Sequence, residues 1–131
     1  GIAMLLLSTL VVACAPIQKK PVMDESQVAP IPVCTNERQC EAMWSNSQDV
    51  LSIITGMKLR MATATTLETF SPGRRGSAGR MYGQARKMVR PDGTYAIIAV
   101  FNCGYEYCRG DEIKARHDFN ELITLAGAAF K

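Results

Sequence analysis

Five cysteines and one histidine are the residues whose types invite chemistry, and their spacing decides between a metal site, a nucleophilic centre and structural disulfides. Four of the cysteines form two clusters, Cys34 with Cys40 and Cys103 with Cys108, with five and four residues between the members. A four-thiolate zinc site is the rival to disulfides, but neither cluster has the tight Cys-x-x-Cys knuckle on which such sites are built. An even set of four instead suits two disulfides in an oxidising compartment, with three possible connectivities. His117 is the single histidine, which nearly excludes serine–histidine, cysteine–histidine and multi-histidine metal sites. It reads as a surface residue beside the apolar stripe of a helix. Glu106, set between Tyr105 and Tyr107, has no second acid near it for paired acid–base work. The chain therefore reads as a non-enzyme with no metal and no cofactor.

The fifth cysteine has a different setting. Residues 2–13 carry no charge over a dozen positions, which matches a signal-peptide apolar core and falls short of the ~20 residues that span a bilayer. The run ends Val11-Val12-Ala13-Cys14, which resembles the lipobox of bacterial lipoproteins. That resemblance implies cleavage before Cys14 and acylation of both its thiol and the new amino terminus. Several acyl chains on one residue anchor stably, at roughly 0.8 kcal/mol per buried methylene. A plain secretory signal, with Cys14 unmodified, is the alternative. No basic flank precedes the run, as expected if the chain begins inside the signal or initiates near Met4. Ala15, rather than the aspartate resembling an inner-membrane retention mark, points to the outer membrane, facing the periplasm.

Composition orders the rest. The stretch 14–33 holds Pro16, Pro21, Pro30 and Pro32 among polar residues, a composition that favours an extended tether over a packed element. The organisation expected is a signal segment at 1–13, a lipidated cysteine and tether at 14–33, and one disulfide-bonded domain at 34–131. The net charge of +3 conceals an asymmetry: from Lys58 to Arg90 there are eight basic residues against one acid, Glu68. The middle of the domain is a basic patch in an otherwise acidic chain.

These residues need elements to position them. Asn36 is placed to cap a helix running from Glu37 to about Thr55, with Cys40, Met43, Trp44, Ser47, Val50, Leu51 and Ile54 on one face. Trp44 lies on that face, where core packing outweighs ligand stacking. Gly56 ends the helix. Strands are expected at 57–61, 66–70, 80–89 and 95–103, with a hairpin at Thr63-Ala64-Thr65-Thr66 and a turn at Pro91-Asp92-Gly93. The fourth strand is apolar on both faces and reads as central in the sheet. A last helix, capped by Asp111, is expected to reach about Ala126 and to bury Ala115, Phe119, Leu122, Ile123 and Ala126. The fold class is α+β: a two-layer sandwich of order α-β-β-β-β-α, with both helices on one face of an antiparallel meander of four strands, or three. With four strands, Cys103 sits at the pole opposite the first helix start, beyond the ~4.4 to 6.8 Å that a disulfide bridges. Local pairs, Cys34 with Cys40 and Cys103 with Cys108, are then expected. With three strands, cross-links become possible.

From Cys34 to about Phe119 the chain resembles a family of small exported proteins and lipoproteins of proteobacteria that has no assigned function. The resemblance rests on Cys34 and Cys40, Met43-Trp44, Thr63-Ala64-Thr65, Thr69-Phe70-Ser71-Pro72, Cys103 and Cys108, and Phe119. The residue after Thr65 is often acidic in that family; here it is Thr66. The family implies an envelope location and brings no activity.

Function is then sought in surfaces. Lys58, Arg60, Arg74, Arg75, Arg86 and Arg90 are the candidate anion-binding residues, outward on strands or in the loop around Gly73, and suited to lipid headgroups, lipopolysaccharide phosphates or glycan strands. An ordinary solvated face is the competing reading. Nucleic acid is not expected as a partner, since no aromatic-basic motif is present. Tyr105 and Tyr107, in the loop bounded by Cys103 and Cys108, are candidate protein contacts, because a rigid loop loses little entropy on binding. The expectation is a non-enzymatic envelope lipoprotein, held to the membrane by its lipid, that binds an anionic envelope component. The alternative is an accessory protein-binding subunit of an envelope complex; the remote one is a hydrolase with an unrecognised site.

Overall fold

Asn36 accepts a hydrogen bond from the Gln39 amide through its side chain, and there the first helix, α1 (Glu37–Thr55), begins. It ends at Gly56, whose φ of 66° is left-handed and therefore cheap only for glycine. The structure, a computed structural model, describes residues 23–73, 80–103 and 109–131. Besides α1 it contains β1 (Val33–Cys34), β2 (Leu59–Ala62), β3 (Thr66–Thr69), β4 (Tyr82–Val89), β5 (Tyr95–Asn102) and α2 (Arg109–Ala128), with one 3-10 turn at Glu25–Gln27.

The strands form one antiparallel sheet of order β1-β5-β4-β3-β2, and the class is a two-layer α+β sandwich. Among the described residues the count is five strands, not the expected four or three. The added member, β1, precedes α1 and pairs Val33 with Ala96 and Cys34 with Tyr95. The folded part accordingly starts before Cys34, within the stretch read as tether. Pro32 is fully buried. Ala29 is held by α2 at both backbone groups: its amide donates to His117 Nδ1 at 3.0 Å, and its carbonyl accepts from Asn120 Nδ2 at 2.8 Å. His117 is thus a half-buried acceptor rather than a free surface residue.

The core lies between the helices and one sheet face. Alternate residues of β4 and β5, Gly83 and Ala85 with Ile97, Ala99 and Phe101, meet Leu51 and Thr55 of α1 and Phe119 of α2. Phe101 and Phe119 pack edge to face at 6.1 Å. Gly83 allows a close approach of sheet and helix, since a Cβ there would lie 2.6 Å from Thr55 Cγ2. On α2 the buried stripe is Ala115, Phe119, Asn120 and Ile123; Leu122 is exposed. Asp111 does not cap this helix but sits within its first turn, because the helix already starts at Arg109.

The threonine segment makes the β2–β3 turn. Thr63 Oγ1 accepts from the amides of Thr65 and Thr66 at 3.3 and 2.9 Å, and the Trp44 indole donates to the Thr63 carbonyl at 3.0 Å. Tryptophan and threonines therefore act together to fix the hairpin to α1. In the β4–β5 turn, Asp92 Oδ1 accepts from the Thr94 amide and hydroxyl, and Gly93 takes φ 85°.

Candidate functional site

The sheet's second face carries no helix among the described residues, and the candidate binding residues gather on it and at its rim. Register fixes who points there. Leu67 and Ala85 are cross-strand partners on the helix side, so Thr66, Glu68, Gln84 and Arg86 point outward, together with Ile98 and Val100 of β5. Lys58, Arg60, Arg86 and Arg90 are all exposed. They are not equivalent. Arg60 is paired with Glu68, whose other oxygen accepts from the Tyr82 hydroxyl at 2.7 Å. The register shift between Leu59 and Met61 lets Arg60 lean across to that carboxylate.

This Arg60–Glu68–Tyr82 network spans β2, β3 and β4 in adjacent positions. The Tyr82 hydroxyl, and after it Arg60, holds the Glu68 carboxyl below its ordinary range. Burial, and after it the bond to Glu68, pushes the Tyr82 phenol upward. The single acid of the basic stretch is therefore committed within the sheet. Lys58, Arg86 and Arg90 make no ion pair among the described residues, though the Arg90 charge adds, after the Thr94 hydrogen bonds, to holding the Asp92 carboxyl below its ordinary range. Met88 and Val100, about half exposed, supply apolar surface beside Arg86. Chemically, the face offers charge-assisted contacts to an anion and an apolar fringe.

Lys87 has a different role. Its parity turns it to the helix side, where its ammonium lies 5.7 Å from both the Trp44 and Tyr95 rings. It is a packed cation at the disulfide pole, not a member of the outward patch. Sequence alone had one signal for this, its odd position beside Arg86 on an alternating strand.

The cysteines are placed as follows. Cys34 and Cys40 are disulfide-bonded, with Cα atoms 5.1 Å apart, and both are buried. Cys34 pairs with Tyr95 at the start of β5, whereas Cys103 follows that strand's end. At ~3.3 Å per residue the two poles are roughly 26 Å apart, so no bridge joins them. Cys103 is also disulfide-bonded; the expected pairing with Cys108 lies outside the described residues. So do Cys14, Arg74, Arg75, Tyr105 and Tyr107. Among the described residues no three His, Cys, Asp or Glu side chains cluster to hold a metal ion, and no helix is long and apolar enough to cross a membrane.

Set against known proteins, the chain matches no family model, no curated protein and no solved structure.

Proposed function

We propose that this chain is a non-enzymatic, lipid-anchored module of the bacterial cell envelope, attached through Cys14 to the outer membrane on its periplasmic side, that binds an anionic envelope component on the outer sheet face. The observation carrying the binding reading is the set of exposed bases outside any ion pair among the described residues, Lys58, Arg86 and Arg90, around a sheet face that carries no helix there and whose one acid is already engaged by Arg60 and Tyr82. Support for export comes from the apolar run closing on Val11-Val12-Ala13-Cys14 and from a buried disulfide, a bond that persists outside reducing compartments. The family resembled by the cysteine, Met43-Trp44 and threonine elements agrees with that location.

The test separates anchor from surface. Labelling cells with tritiated palmitate is expected to mark the wild type and not Cys14→Ser; label that survives the substitution removes the anchor from the proposal. Co-sedimentation of Cys14→Ser with phosphatidylethanolamine vesicles, with and without phosphatidylglycerol, then reads the domain alone. Binding to the anionic vesicles is expected, weakening with salt and lost on charge reversal of Lys58, Arg86 and Arg90. Binding unchanged by that reversal overturns the anionic reading.

A further inference from the structure

Among the described residues, β5 is fully paired on one side and almost bare on the other. Its partner β4 runs along its whole length, from Tyr95 against Val89 to Asn102 against Tyr82. β1 covers only its first residues. The Ile97 amide donates to the Pro32 carbonyl at 2.9 Å, which identifies the odd-numbered residues of β5 as those whose main-chain groups face β1. The Gly83 and Lys87 amides, bonded to Thr69 Oγ1 and the Thr65 carbonyl, give β4 the matching parity. The N–H and C=O groups of Ala99 and Phe101 therefore point to the bare edge. No hydrogen bond reaches them among the described residues.

The reason β1 stops is local. Pro30 and Pro32 lack donors, so the segment cannot continue the ladder. His117 and Asn120 draw Ala29 away toward α2. The divergence leaves a groove of about 430 Å³ between the edge and α2, lined by residues 99–101 with Glu25, Glu112, Ile113 and Arg116. Glu25 and Arg116 pair across it. Glu112 is fixed by accepting from the Cys103 amide at 2.9 Å.

We propose that this groove binds an extended peptide segment of a partner protein, which adds to the sheet beside β5 where β1 leaves off. Two donors and two acceptors repeating every second residue, ~6.7 Å apart, match the main chain of an extended strand and no compact small molecule. The neighbouring stretch of the same edge is already occupied in this way by β1, so the docking mode continues an interface the fold itself uses. The segment has no proline at its paired positions and carries an apolar side chain on the helix side, against Ile113 and Phe101. A second copy of this chain is the poorer occupant: it would bring its own α2 alongside its own β5, and both helices would compete for one space. The site is separate from the outward bases, and the two stand or fall independently.

The experiment uses the whole protein and a blocked peptide, acetyl-Lys-Val-Thr-Val-Thr-Lys-amide, followed by amide hydrogen exchange and titration. Before addition, the Ala99 and Phe101 amides are expected to exchange faster than those of Ile98 and Val100. On addition they slow selectively. N-methylation of alternate peptide amides is expected to abolish the effect, and Ala99→Pro, which removes one edge donor and no β4 bond, to weaken binding roughly three- to tenfold. Should Ala99→Pro unfold, the N-methylated peptide still decides. Absence of binding at millimolar peptide, or binding that leaves both amides unprotected, overturns the proposal. Amides already protected in a protein that sediments as a dimer overturn it in favour of a second copy.

Discussion

The two faces of the β4–β5 hairpin come from alternate residues of the same strands, yet one is a fitted surface and the other a receptive one. Inward are Gly83, Ala85, Ile97, Ala99 and Phe101, all buried and packed toward the helices. Outward are Gln84, Arg86, Met88, Ile98 and Val100, partly or well exposed, with no helix above them among the described residues. The lesson is that identity is constrained by shape on one face and by charge on the other. The inward face tolerates neither added nor removed volume. The outward residues of these two strands meet no packed helix among the described residues, which leaves them available to a ligand.

The largest test of this contrast removes volume from the inward layer. Phe119, fully buried against Phe101, is expected to cost about 3 to 5 kcal/mol on Phe119→Ala, since the cavity cannot collapse between sheet and helix. Urea unfolding gives the number. The outward comparator, Val100→Thr, is expected to stay within about 0.5 kcal/mol. Equal losses at the two positions would mean that the outer face is also covered in the native protein.

Adding volume is the next step down. A Cβ at Gly83 meets Thr55 Cγ2 at 2.6 Å and Leu51 Cδ1 at 3.0 Å. Thr55 is stiff there, because it is β-branched and its hydroxyl is bonded to the Leu51 carbonyl at 2.7 Å. Gly83→Ala is therefore expected to cost about 1 to 3 kcal/mol. Thr55→Ser, which deletes the offending methyl and keeps the hydroxyl, should recover part of that loss in the double variant. Additive effects would place the strain elsewhere.

Much of this layering was legible in the residues themselves. The cap at Asn36, the stop at Gly56 and the apolar face of α1 follow from local chemistry, as do the Thr63 and Asp92 turns. What was not legible depends on partners distant in sequence. β1 is two residues between prolines, and it pairs through backbone groups that no hydrophobic period records. The two apolar faces of β5 mark it as an interior strand, which it is; what they do not record is that its neighbour opposite β4 is β1, and that β1 covers only its first residues. Asn120 occupies a core position, where its side chain donates to the Ala29 carbonyl, while Leu122 falls outside the stripe of Ala115, Phe119 and Ile123. On the outer face, alternation put Arg60 outward, but only the bulge in β2 and the register of β3 show that Glu68 engages it. The loop tyrosines and the loop arginines lie outside the described residues and sharpen neither reading.

The smallest effect separates the faces by pH rather than by size. Tyr82 first, and then Arg60, favours the Glu68 carboxylate, so its pKa is lower folded than unfolded. Its contribution is present above the ordinary carboxylate range and lost as pH falls through the folded value. The Tyr82 phenol is raised by burial and by Glu68, so the neutral form is favoured on folding. That contribution is complete below the ordinary phenol range and lost as pH rises through the folded value. The outward network should therefore give a stability plateau across neutral pH that declines on both sides. Glu68→Gln is expected to flatten the acid limb and Tyr82→Phe the alkaline limb, read as urea midpoints across pH. Phe119→Ala should lower the whole profile and leave its shape alone. A wild-type acid limb retained in Glu68→Gln would move the titration to another carboxylate, and with it the claim that this acid is committed to the sheet rather than to a ligand.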